Sequence, residues 1–322
     1  MVDKTIKTKN YYDEVWKNPE RLNATEDLLL TGFHYGYYEH GIKDLFQAMY
    51  NMNDFVGRLL NLDKEKLGEI LDVGCGVGST SIYLAKKFPD NKFTGITLSP
   101  NEIKFAKKFI KFKNIDNFTV IEGDYLDTGF PDNYFDGVFA LESVSYAQNK
   151  REFINEMHRI LKPGGRLVVI DGFRKAIPSN SFMKQLYDFH YIARGGADLP
   201  ELDSFKLILN EKDFKEIHIR DISKNIRGHF INLILDRLPN FLPILLKKYF
   251  KHRKQGSKEL DHYDRNWLIL DFFFGMTRIC SYNSIVAVKK PNTAKSVNNL
   301  ASEVASISPE NITDSQKISC NN

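Results

Sequence analysis

Cysteine is scarce in this chain of 322 residues: Cys75, Cys280 and Cys320 are three thiols without metal-ligand spacing. Neither a disulfide framework nor a zinc site is expected, no metal is called for, and a reducing, cytoplasmic compartment fits best. No sign of charge dominates. Lys and Arg number 45 against 41 Asp and Glu, a net charge of +4 with the signs intermixed, which argues against phosphate-backbone binding and so against a nucleic-acid partner. Long apolar runs are missing too, since Asp, Lys or Pro cuts each one before a membrane-spanning length, and Met1–Asn10 is polar and lysine-rich without an apolar core. Neither a spanning helix nor a secretory signal is read. Residues 291–322 lack aromatics and are rich in Ser, Asn, Lys and Thr, a composition that cannot offset the entropy of ordering, so they are expected to form a disordered tail.

What the chain has in excess is aromatic: 24 Phe and 15 Tyr exceed the needs of one core, and some are expected to line a pocket. Leu45, Met49, Met52, Val56 and Leu59 recur at steps of three and four and predict an amphipathic helix within Gly41–Leu62. Strand then alternates with helix. Glu69–Val73 runs into Gly74, Gly76 and Gly78 and a helix over Ser79–Phe88; Lys92–Thr97 is a second strand; Ser99, Pro100 and Glu102 open the next helix as cap, first-turn proline and returning carboxylate. Strands are expected at Phe118–Glu122, Gly137–Leu141 and Arg166–Ile170, with a helix over Lys150–Leu161 and a turn at Lys162–Gly165. Helices over Ser181–Arg194 and Ser204–Asn210, a strand over Glu216–Ser223 and a closing strand over Ser284–Val288 complete the pattern. Repeated β-then-α units imply an α/β fold with a parallel, doubly wound sheet. Between the last two strands, Phe230–Phe250 carries many apolar residues interrupted by Pro239 and Pro243, then a basic stretch to Lys258. That segment reads as a helical lid, with an interfacial membrane helix or a solvated insertion as alternatives.

Glycines alternating between a strand and a helix let a ligand approach the backbone and meet N–H groups at the helix start. The tight turn Asp72–Gly78 has that form, although such a turn also occurs with no ligand. A dinucleotide fingerprint would place its third glycine one residue later and an acid where Thr97 stands, which counts against NAD. Glu69–Gly78, Asp124, Phe130–Asp136 and Leu161–Gly165, in this order, resemble class I S-adenosylmethionine-dependent methyltransferases. Gly95–Pro100, Ala140–Ser143 and Phe33–Tyr38 are similar, more narrowly, to the cluster that methylates tocopherols, sterols and cyclopropane lipids.

That resemblance implies a Rossmann-like, mostly parallel seven-stranded sheet with a helical lid inserted before the last strand. It implies an N-terminal arm over about residues 1–40 closing on the active site, a methyltransferase domain over about 41–290, and the insertion at about 225–280. Its cofactor would be S-adenosyl-L-methionine. Carried over by position, Asp72, Gly74, Gly76 and Gly78 form the cofactor turn, with Gly74 and Gly76 on the methionine part. Thr97 and Leu98 would meet the ribose, Asp124 and Tyr125 the adenine end, and Glu142 the reacting centre. The sterol and tocopherol enzymes commonly have His where this chain has Tyr146.

Glu142 is either a carboxylate beside the transferred methyl group or a polar cap on the sheet, and His34, Tyr35 and Tyr37 either position substrate and move a proton or pack the arm. Asp171 is a further candidate base; His190 and Tyr191 are read as packing in the lid, and Cys75 as a small residue of the turn. The preferred acceptor is a small hydrophobic or lipid-like metabolite, a sterol or isoprenoid methylated at carbon, with peripheral membrane contact possible. An O- or N-methyltransferase of an amphipathic small molecule is the alternative, and an inert cofactor-binding scaffold the third reading.

Overall fold

The computed structural model describes residues 8–10, 12, 13, 16, 34–39, 41–62, 68–175, 184, 187, 198–229, 231 and 280–291. The lid expected at about 225–280, apart from its first residues, His190 and Tyr191, and the tail beyond 291 lie outside the described residues.

Helix α1 (Leu45–Leu59) starts where the Asp44 side chain accepts the Gln47 N–H, and it buries Met49, Met52 and Val56 of the expected apolar stripe. Strand β1 (Glu69–Val73), helix α2 (Ser79–Lys87), β2 (Lys92–Thr97), α3 (Pro100–Lys113) and β3 (Phe118–Glu122) follow in the alternation read from sequence. Then come β4 (Phe135–Leu141), a 3-10 turn (Val144–Tyr146), α4 (Lys150–Ile160), β5 (Leu161–Arg174), α5 (Leu202–Glu211), β6 (Phe214–Asp221) and β7 (Cys280–Lys289). The seven strands form one sheet in the order β3-β2-β1-β4-β5-β7-β6. The pairings among β1 to β5 are parallel, and β7 runs antiparallel to both β5 and β6. Strand order therefore reverses at β1, and the crevice beyond the C-terminal ends of β1, β2 and β4 is where such sheets bind ligands.

Several boundaries differ from expectation. The turn expected at Lys162–Gly165 is absorbed into β5, because the pairing shifts register from Phe135 opposite Leu161 to Gly137 opposite Arg166. Such a bulge takes up the extra residues, with Gly164 at φ 83°. β6 stops at Asp221, and residues 223–229 are helical. β7 starts at Cys280, four residues before the expected strand; all ten of its residues are buried, with Cys280–Val288 laid along β5 and Asn283–Lys289 along β6.

The turn that aims β1 at α2 depends on Gly78. Its φ of 78° lies in the left-handed region, and a Cβ there would stand 2.6 Å from the Phe118 ring of β3. Gly78→Ala is expected to lower stability by about 2–3 kcal/mol in urea unfolding, through left-handed strain and overpacking. Phe118→Leu in the same chain should recover part of that loss; an unchanged midpoint for Gly78→Ala would remove this packing role.

Candidate active site

Three glycines share the turn after β1, but they meet different surroundings. Gly74 (φ 75°) donates its N–H to the Ile96 carbonyl, and a Cβ there would come within 2.5 Å of the Ser143 side chain. Packing therefore demands glycine at 74 and at 78. At Gly76 (φ 56°) a Cβ would meet only Glu102 Oε1, at 3.7 Å, so this is the position where the turn leaves room. No side chain caps α2, and the start of a helix favours a carboxylate or phosphate. Asp72 lies buried beneath the turn and accepts the Ser81 hydroxyl at 2.6 Å; burial pushes its carboxyl up to about 7. Cys75 is also pushed up by burial, which suits a small residue of the turn and not a nucleophile.

At the end of β2 the Thr97 hydroxyl donates to Glu102 Oε2 at 2.5 Å, and the Trp16 indole N–H donates to Glu102 Oε1 at 3.1 Å. The expected capping box is thus half made. Ser99 Oγ accepts the Glu102 N–H, but the Glu102 carboxylate turns inward and the Ser99 N–H goes to Thr97 Oγ1. Glu102 is 3% exposed, and burial pushes its carboxyl up to about 7. Asp13 also docks here, accepting the Ser99 hydroxyl. Leu98, next in the chain, is half-buried. Asp124 accepts the Leu126 N–H in a local turn, while Tyr125 points inward, its hydroxyl donating to the Ser143 carbonyl and its ring edge-on to Phe153.

Glu142 ends β4 in the left-handed region, at φ 54°, an uncommon conformation for glutamate. Its Oε1 accepts the Tyr35 N–H at 2.6 Å and the Tyr282 hydroxyl at 2.7 Å. The segment around Tyr35 is held from other sides as well. Gly36 N–H donates to His229 Nδ1, Tyr37 N–H to the Ala48 carbonyl and Tyr38 N–H to the Asn225 carbonyl. Tyr35 meets the rings of His229 and Tyr282 edge-on at 5.3 and 5.4 Å. His34, 7% exposed, sets Nδ1 at 3.1 Å from the Tyr35 carbonyl, and its buried Nε2 has no hydrogen-bond partner among the described residues. Burial holds both His34 and His229 below the usual imidazole range, His229 at about 4. Asp171 is spent on backbone, accepting the Ser145 and Gly172 N–H groups. Tyr146 meets Tyr12 edge-on at 5.4 Å.

A glycine turn with one open position, an uncapped helix start and a polar cluster at the ends of β2 and β4 are thus gathered at the switch point. The family model described as a methyltransferase domain matches residues 71–169. Those residues carry a methyltransferase domain. Norajmaline N-methyltransferase of Rauvolfia serpentina is 33% identical over 180 residues, covering 53% of this chain and 61% of that protein. The chloroplastic tocopherol O-methyltransferase of Arabidopsis thaliana is 35% identical over 117 residues, 36% of this chain and 33% of that protein. The chain therefore spans less than two thirds of the length of either relative. A geranyl diphosphate C-methyltransferase from Streptomyces coelicolor A3(2), solved with Mg2+, geranyl diphosphate and S-adenosyl-L-homocysteine, superposes with a TM-score of 0.66 at 16% identity, over 89% of this chain and 98% of that one. At that identity it speaks for the fold alone.

S-adenosylmethionine is the cofactor of this class of domain, and the residues present fit it. Gly76 and the start of α2 suit its carboxylate, and the Thr97–Glu102 pair offers acceptors to ribose hydroxyls. Among the described residues no group of three or more His, Cys, Asp or Glu side chains is placed to hold a metal ion. Glu142, His34 and Tyr35 come together at one point, whereas Trp16, Glu102, His229 and Tyr282 were not read as site residues. Glu102 carried a signal, a carboxylate in the first turn of the helix that follows Thr97. His229 lies beyond every recognisable motif and carried none.

Because Glu102 keeps its proton in the fold over a range where the unfolded chain loses it, its contribution to stability is full below about pH 4.5 and declines as pH rises through about 7. Glu102→Gln is expected to flatten the fall in melting temperature between about pH 5 and about pH 8, by the equivalent of at most about 3 kcal/mol. A variant with the same pH slope as the parent would show that this carboxylate ionises freely.

Proposed function

We propose that this protein transfers the methyl group of S-adenosylmethionine to a nitrogen or oxygen of a small hydrophobic acceptor, with His34 as the base. The observation that carries the reading is the His34 ring. A carbonyl only accepts, so the Tyr35 carbonyl fixes the proton on Nδ1 and leaves Nε2 as a buried lone pair without a partner among the described residues. Burial keeps that imidazole neutral, ready to receive the proton an N–H or O–H acceptor must lose. Glu142 does not need to be that base: its carboxylate holds the Tyr35 backbone and the Tyr282 hydroxyl, and so fixes where His34 stands. The cofactor supplies an electrophilic methyl group; the chain supplies position, a water-poor enclosure and the proton acceptor. Two relatives named for N- and O-methylation support the heteroatom reading.

Carbon methylation of an isoprenoid or sterol is the second reading. A carboxylate with the Tyr35 and Tyr282 rings beside it, the arrangement found at Glu142, would also stabilise a carbocation. Calorimetry of the full chain with S-adenosylmethionine, S-adenosylhomocysteine and NAD tests the cofactor; a panel of amine, phenol and isoprenoid acceptors, read by mass spectrometry, tests the acceptor. Binding of NAD alone would overturn the assignment. On the true acceptor, His34→Asn, whose amide keeps the donation to Tyr35, is expected to lower kcat roughly 10²–10⁴-fold with cofactor affinity unchanged. The acid limb of the parent's pH profile should lie below pH 6.5. Undiminished turnover in the variant would remove His34 from the chemistry.

A further inference from the structure

Helix α3 carries two stripes at helical spacing. Glu102, Phe105, Ala106 and Phe109 are buried against the sheet. On the outer face, Lys104, Lys107, Lys108 and Lys111 are all exposed, and Phe112 extends the same stripe with 62% of its surface exposed. Elsewhere on the described surface, basic side chains commonly meet carboxylates, as in Lys87–Asp54, Arg151–Glu211 and Lys162–Asp136. Among the described residues none of these four lysines does; Lys108 Nζ lies 5.5 Å from the centre of the Phe105 ring. Lysines at steps of three and four repel one another by a few tenths of a kcal/mol per pair, and no exposed acid of the helix relieves them. The chain-wide charge of +4 conceals this local concentration.

We infer that the outer face of α3 docks on an anionic lipid surface, with the lysines at the headgroups and Phe112 entering the acyl boundary. Charge complementarity calls for an anionic partner, and the protruding phenyl ring calls for one with an apolar layer behind its charges, which a bilayer has. Lysines alone would serve a nucleic-acid backbone as well, but such a backbone gives an exposed phenyl ring no apolar layer to enter, and base-edge readout would add arginine or amide side chains, which this stripe lacks. No helix among the described residues is long and apolar enough to cross a membrane, so the contact is peripheral. It lies outside the insertion to which the sequence assigned possible membrane contact.

The test is sedimentation of the full chain with vesicles of phosphatidylcholine alone and of phosphatidylcholine with one quarter phosphatidylserine. The parent should sediment with the mixed vesicles and stay in solution with the neutral ones. Replacing Lys104, Lys107, Lys108 and Lys111 together by Gln should weaken binding on the order of several hundred-fold, at about fivefold per lysine. Phe112→Ser alone should weaken it about tenfold. Equal binding by the quadruple variant would place the contact elsewhere in the chain, and no binding by the parent would end the proposal. Full binding by Phe112→Ser, together with competition by heparin, would reduce the face to a general polyanion site and overturn the lipid assignment. Unchanged calorimetric binding of S-adenosylmethionine in each variant establishes that it folds, and keeps this outcome separate from that of the methyltransferase reading.

Discussion

A single carboxylate oxygen at the end of β4 receives both the backbone of the N-terminal segment at Tyr35 and the hydroxyl of Tyr282 on β7. Those partners lie 107 and 140 residues away in sequence, so Glu142 joins the arm, the middle of the sheet and its last strand at one point. Two hydrogen bonds converge on that one oxygen, at 2.6 and 2.7 Å, and they offset the cost of holding a glutamate at positive φ. Without that oxygen the Tyr35 N–H would lose its partner under the arm, and His34 would lose the anchor next to it. The positions of His34, Tyr35 and the His229 ring all follow from this junction.

The β-then-α alternation was legible because each parallel strand is a short apolar run bounded by turn residues and each helix carries one apolar stripe. The sequence misplaced edges where tertiary pairing overrides local pattern. Lys162-Pro163-Gly164-Gly165 looks like a turn on its own, yet pairing with β4 draws it into a bulged strand. Cys280–Asn283 looks too polar to begin a strand, but the segment pairs along β5 with its side chains buried, and Asn283 Nδ2 donates to Ser281 Oγ. The glycine turn was recognised as a unit, whereas its division of labour was not, since only the Ser143 and Phe118 side chains reveal that Gly74 and Gly78 are fixed by packing and Gly76 by open space. Residues such as His229 and Tyr282 join the site through contacts with distant segments, and no local spacing encodes that.

The ionisable groups around the crevice share one consequence of burial. His34 and His229 are held below the usual imidazole range, and Asp72 and Glu102 are raised to about 7, in each case chiefly by desolvation. Desolvation moves acids and bases in opposite directions but always toward the uncharged form. Near neutral pH both imidazoles are therefore uncharged and both carboxyls hold a large share of their protons. A sulfonium entering such a site meets little competing positive charge, and an imidazole that gained a proton before the acceptor arrived would have to do so in an unfavourable, dry environment beside a second ring.

That coupling bears on why a second histidine stands here. His229 accepts the Gly36 N–H through Nδ1, so it can hold the arm only while that nitrogen is unprotonated. Burial, and then repulsion from His34, lowers the affinity of His229 for a proton, which in the proposed reaction would keep the Gly36 contact intact at the moment His34 becomes charged. The proposed base and the residue that secures its segment would thereby be kept from titrating together, and the arm would stay in place through the step in which its neighbouring charge changes.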